Sequence, residues 1–190
     1  MSSSSDHTWK AASPQAVEQW LKTSKAVAIH LQLMFQMEWP EEFSQFEHMH
    51  KAARWIHREI DQGLWIGKVI VYKLGSSVHL DGNNVCPTAT YCLGAFNGRH
   101  MEILDLEACL LYKPGDVIIG WMNVLFHRVS PWDISEPFPD EVSKFLEEYK
   151  VTSGHVSVVS FFPESAYTAL KDKPEGWART TSFGRRKIHC

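Results

Sequence analysis

The chain has 190 residues, a length that suits one domain spanning 1–190 with its own core. Its 44% apolar and 22% charged residues exclude a disordered chain, and a net charge of -3 removes any whole-chain case for holding nucleic acid through a basic surface. Four cysteines (Cys86, Cys92, Cys109, Cys190) without a CxxC pair fit a reducing, intracellular setting, nuclear or cytoplasmic, and the longest apolar run, 117–126, is too short and too interrupted to span a membrane.

Residues 1–12 open on a run of serines and read as a flexible leader. Ser13-Pro14 is a helix start, and Val17, Trp20 and Leu21 follow at helical spacing. Val27, Ile29, Leu31 and Leu33 alternate with Ala28, His30 and Gln32, a period of two that predicts a strand. Pro40 to about Gln62 predicts a second helix with Phe43, Phe46, Ala53, Ile56 and Ile60 near one face, closed by Gly63. Residues 13–63 are therefore a helical support. From residue 64 the texture becomes short and β-rich, with runs at 64–72, 77–81, 88–93, 101–104, 108–112, 117–121, 125–129 and 156–162. Turn-forming residues lie between most of them. The fold class is α+β, with a sandwich or small barrel over 64–163 and a helical insertion near 140–149. Residues 164–190 read as a short helix and a loose basic tail carrying Arg185, Arg186 and Lys187.

The chemistry concentrates between Ser76 and Phe162. His79-Leu80-Asp81 lies on a predicted strand, where residues i and i+2 share a face, so an imidazole and a carboxylate project together. His127, 46 residues after Asp81, lies on another predicted strand and supplies a third ligand. Two imidazoles and one carboxylate leave three positions open on a metal, the arrangement of non-haem Fe(II) oxygenases. Competing readings are thinner. His48, His50 and His57 lie on the second predicted helix with no carboxylate or cysteine to complete a site, which reads as a solvated face. Cys92 and Cys109 read as core thiols, and Trp121, Trp132, Phe161 and Phe162 as core aromatics, with stacking on a flat substrate as their alternative. Neither a G-x-S-x-G elbow nor a Gly-rich phosphate loop occurs.

The segments His79-Leu80-Asp81-Gly82-Asn83-Asn84, Leu93-Gly94-Ala95-Phe96-Asn97-Gly98, Lys113-Pro114-Gly115-Asp116 and Leu125-Phe126-His127 occur in this order. Together they resemble the TET/JBP-type Fe(II)/2-oxoglutarate dioxygenases, most of all the expanded fungal group of that superfamily. The resemblance covers a little under half of the chain. It implies a double-stranded β-helix, a jelly-roll or cupin-like barrel buttressed by N-terminal helices. It also implies Fe(II) held by His79, Asp81 and His127, with 2-oxoglutarate and O2 as co-substrates. A C–H bond is the implied target, with 5-methylcytosine in DNA as the substrate the relatives suggest.

Individual positions carry expectations of their own. Asn84 matches an asparagine that bonds the target base in the TET group, and it also reads as a turn cap. Gly94 and Gly98 serve either a close chain approach near the metal or an ordinary bulge. Two positions depart from the family. Arg99 stands where a second glycine is usual, which assigns it to a substrate-facing loop. His155, in Gly154-His155-Val156-Ser157, stands where an arginine normally grips the far carboxylate of 2-oxoglutarate. The co-substrate is then expected to meet His155 as an imidazolium, with Ser157 and Arg128 nearby; Arg99, Arg128 or Lys73 are the substitutes. That departure keeps two further readings open: a barrel that binds without turnover, and an iron oxygenase that does not use 2-oxoglutarate.

Overall fold

The computed structural model describes residues 13–54, 59–133, 138–150, 152–182 and 185–186. They fall into two compact units, one drawn from both chain ends (Met1–Lys68 with Phe161–Cys190) and one continuous, Val69–Ser160. The leader 1–12, Ile56, His57 and Lys187 lie outside the described residues.

The first unit is helical. Helix α1, Ser13–Glu38, runs straight through the stretch expected to be a strand. Of the alternating set only Leu31 is buried, while Val27, Ile29 and Leu33 are exposed. The inward face is instead Leu21, Ala28, Leu31 and Phe35, the spacing of a helix, and no glycine or proline breaks the run after Pro14. Helix α2, Pro40–Ala53, has proline in its first turn with Glu41 and Glu42, and His50 and Lys51 in its last. It stops nine residues before the expected end, because Arg54 takes an extended conformation while its N–H still donates to the His50 carbonyl. Phe35 meets Trp65 edge-on at 5.6 Å, and Phe46 packs on Phe162 at 5.1 Å. His50 is buried rather than solvated, 3.6 Å from the Asp61 carboxylate.

The second unit carries two sheets. Strands β1 (Gly67–Tyr72), β2 (Thr88–Ala95), β3 (His100–Ile103), β4 (Ala108–Leu111), β5 (Val117–Gly120), β6 (His127–Val129) and β7 (Gly154–Phe161) order as β1-β7-β2-β5 and β4-β3-β6. The run expected at 77–81 reduces to one bridged residue, His79. Helix α3, Asp140–Glu148, occupies the expected insertion. A tight turn at 113–116, with the Asp116 N–H donating to the Lys113 carbonyl, joins β4 to β5. Cys92, Phe96, Met101, Ile103, Tyr112 and Met122 form the core. Cys109 is exposed, contrary to expectation, because β4 is an edge strand whose next two residues, Leu110 and Leu111, are also in solvent. In the first unit, α4 (Glu164–Leu170) and α5 (Trp177–Thr180) complete the chain, and Thr181–Ser182 (β8) pairs with Arg185–Arg186 (β9).

Candidate metal centre

His79 and His127 face each other across an isolated antiparallel bridge in which each backbone N–H donates to the other's carbonyl at 3.0 Å. That pairing brings the imidazole centroids to 4.2 Å. Asp81 is two residues beyond His79 on the same face, and its N–H is held by the Met122 carbonyl at 2.9 Å. Its carboxylate Oδ1 lies 3.8 Å from His79 Nε2. One ligand atom from each of the three residues lies within 4.8 Å of the others. His127 is buried; His79 and Asp81 line the open side.

The two imidazoles are tied in the same way. His79 Nδ1 lies 2.8 Å from the Ser77 carbonyl and His127 Nδ1 lies 2.9 Å from the Leu125 carbonyl. Each carbonyl accepts a hydrogen bond from the Nδ1–H, which leaves the Nε2 lone pair of each ring for a metal. The donor set fits a divalent transition metal on one face: two neutral nitrogens, one carboxylate oxygen and an open remainder.

A buried hydrogen-bond chain positions Asp81. The Asn84 amide donates to the Cys86 carbonyl at 2.5 Å and to Thr88 Oγ1 at 2.7 Å, and Thr88 Oγ1 donates to Asp81 Oδ2 at 3.2 Å. Asn84 is 5% exposed, so of its two readings the geometry matches the turn cap, with a reach into the metal centre through Thr88. Thr88 carried no signal as a lone residue. The alternation of Thr88, Thr90 and Cys92 on one face of β2 was the available clue.

Deeper in the same unit lies a second polar group. His155 and Ser157 on β7 register with Gly94 and Cys92 on β2, so their side chains share the face that carries Cys92 into the core. Ser157 Oγ lies 3.0 Å from His155 Nε2, and Phe96 meets the imidazole edge-on at 4.7 Å. Burial, then the Arg99 charge, pushes His155 down to about 4. The ring in this structure is therefore neutral at neutral pH, whereas the imidazolium was expected of the complex with the co-substrate. Tyr112 Oη is 2.8 Å from Thr90 Oγ1, and burial pushes its hydroxyl up.

Arg99 is not on an exposed loop. It immediately precedes β3, where alternation sets it on the same side as buried Met101 and Ile103, and it is 1% exposed. Its Nη2 donates to the Leu74 carbonyl. Arg128 is a correction in the other direction. It follows inward His127 on β6, so it points outward, and it makes 2.9 and 2.7 Å hydrogen bonds to Glu102 Oε2. Lys73 spends its ammonium on Thr152 Oγ1 at 2.6 Å. Gly94 has φ +106, and a Cβ there would collide with the Gly154 carbonyl, so it serves the close-approach reading. Gly98 also has a positive φ, with Asp133 Cβ 3.4 Å from where its own Cβ would stand.

No protein-family model and no curated protein matches the chain. Solved structures do. NgTET1 in complex with 5mC DNA is 16% identical with a TM-score of 0.54, over 87% of this chain and 57% of that one. OsALKBH1 is 14% identical with a TM-score of 0.44, over 78% and 64%. The chain spans less than two-thirds of either. At such identity the first likeness carries the fold alone, and with two antiparallel sheets enclosing one core the chain has the double-stranded β-helix fold.

Proposed function

We propose that this chain is an Fe(II)- and 2-oxoglutarate-dependent dioxygenase whose metal is held by His79, Asp81 and His127. The observation that carries the reading is the three-ligand cluster with both Nδ1 atoms tied to backbone carbonyls, set in a double-stranded β-helix. Iron so bound supplies a coupled oxidation: O2 and 2-oxoglutarate are consumed, succinate and CO2 are released, and one oxygen atom enters a substrate C–H bond. The protein's part is to orient. The Ser77 and Leu125 carbonyls hold the imidazoles in one tautomer, and the Asn84–Thr88 relay holds the carboxylate. The substrate proposed is 5-methylcytosine in DNA, supported by the sequence resemblance and by the DNA in the NgTET1 complex. Free thiols at Cys92 and Cys109 suit an intracellular setting, nuclear or cytoplasmic.

The test is the absorption spectrum of the anaerobic protein with Fe(II), before and after 2-oxoglutarate. A weak visible charge-transfer band on addition is the expected result. Iron binding without that band favours the reading that His155 suggests, an oxygenase on the same triad that does not use 2-oxoglutarate. Absence of iron binding removes the enzyme reading and leaves a barrel that binds without turnover.

A further inference from the structure

We infer that Arg99 is the cation that receives the far carboxylate of a 2-oxo diacid inside the barrel, in the role the family gives to the residue at His155. The inference rests on the dioxygenase reading for the metal end of that ligand.

Four observations carry it. First, Arg99 is among the largest fully buried side chains, and its Nε and Nη1 have no hydrogen-bond partner among the described residues. Its one bond, to the Leu74 carbonyl, engages Nη2 alone and brings no negative charge. A buried guanidinium without a counter-anion is costly, and a carboxylate with its paired oxygens is the group that best satisfies its donors. Second, among the described residues no carboxylate pairs with Arg99. The ionisable groups facing Arg99 are Cys92 on β2, Tyr112 beyond β4 and His155 on β7. Burial pushes the Cys92 thiol up to about 11, raises Tyr112 and pushes His155 down to about 4, so all three are neutral between pH 6 and 8.5. Third, the neighbours are built for a polar guest. Thr90, Tyr112 and Ser157 present hydroxyls on the same interior, and His155 Nδ1 is itself without a partner among the described residues. Fourth, one strand links the two ends. On β3, Ile103 stands opposite the metal ligand His127 in the β3–β6 ladder, and Arg99 lies four residues along the same face, roughly 13 Å of extended chain. The long arginine side chain and a five-carbon diacid share that interval.

The experiment uses the full chain loaded with Mn(II), which binds without turnover, and two probes of equal chain length: 2-oxoglutarate and 2-oxovalerate, which lacks the far carboxylate. Mn(II) affinity is read by electron paramagnetic resonance and ligand affinity by calorimetry. The wild type should favour the diacid by about 100-fold, the scale of charge-assisted bonds to a buried cation. Arg99→Met should shrink that preference to about threefold with Mn(II) affinity unchanged, and His155→Gln should leave it intact. A diacid preference that survives Arg99→Met, or that disappears in His155→Gln, overturns the inference. So does equal affinity for the two probes in Mn(II)-loaded wild type. Should Arg99→Met not fold, the wild-type pH profile decides, with Mn(II) occupancy held constant. A preference flat from pH 6 to 8.5 supports Arg99, and one that falls as an imidazolium loses its proton overturns it. Failure of the wild type to bind Mn(II) is a separate outcome that removes the dioxygenase reading and this inference with it.

Discussion

Single hydrogen bonds decide how well the metal ligands are held, and Thr88 is where this is testable. Its hydroxyl accepts from the Asn84 amide and donates to Asp81, so Thr88→Val keeps the shape of the side chain and cuts the relay at both ends. The expected result is a 10–100-fold loss of Mn(II) or Fe(II) affinity, measured by titration, in a protein that still folds. Asp81→Ala should abolish metal binding outright. His155 predicts a different observable. Its folded value of about 4 lies below the ordinary value near 6.5. Above pH 6.5 the ring is neutral in both states and costs nothing. As pH falls from 6.5 towards 4 the unfolded chain takes up a proton that the folded one refuses, and stability is lost. Between pH 7.5 and 5 that loss is about 2 kcal/mol, and His155→Gln should remove it. The check is the difference in urea midpoint between wild type and variant at the two pH values, in which the metal ligands' own titration cancels.

At the scale of elements, α1 and β2 give opposite tests of how local pattern becomes structure. On α1, Leu31 is 2% exposed and Leu33 is 52% exposed. Leu31→Ala should cost 2–5 kcal/mol and Leu33→Ala less than about 0.5 kcal/mol, read by chemical denaturation. A strand with alternating burial would have made the two equal. On β2, Gly94→Ala adds a Cβ against the Gly154 carbonyl at a positive φ, whereas Gly115, also at positive φ, faces open space. Gly94→Ala should therefore lower the thermal midpoint well beyond Gly115→Ala, whose cost is only the roughly 1–2 kcal/mol of left-handed backbone. The contrast explains what was legible. Turn residues punctuate the β-rich half, so most strands and the 140–149 helix were readable within a few residues. Val27 to Leu33 was not, because four apolar residues at alternate positions mimic a strand when their helical neighbours Leu21 and Phe35 are left out of the count. In the candidate site, the pair His79 and Asp81 was legible because a spacing of two needs only local geometry. The burial of Arg99 and the outward turn of Arg128 were not, since both depend on which face of β3 and β6 meets the core.

At the scale of the whole molecule, all three candidate metal ligands belong to the continuous unit Val69–Ser160. A metal bound at 100 times its dissociation constant adds about 2.7 kcal/mol to that folded state. Hydrogen exchange should accordingly slow most between residues 79 and 129 on metal addition, and least in α1, as peptide-resolved mass spectrometry would show. Among the described residues no helix is long and apolar enough to cross a membrane. If DNA is the substrate, a chain with a net charge of -3 must gather its phosphate contacts locally, and binding of a methylated duplex should weaken steeply between 50 and 200 mM salt. The ladder between β3 and β6 has one more consequence. On the proposed reading, with Ile103 locked opposite His127, the strand would work as a caliper whose jaws are a bound metal and Arg99, with hydrogen bonds fixing their opening. A caliper measures length. Diacids one carbon shorter or longer than 2-oxoglutarate should fit the same two charges poorly. A one-residue deletion within 100–103 would turn Arg99 to the opposite face of the strand and leave nothing to close upon.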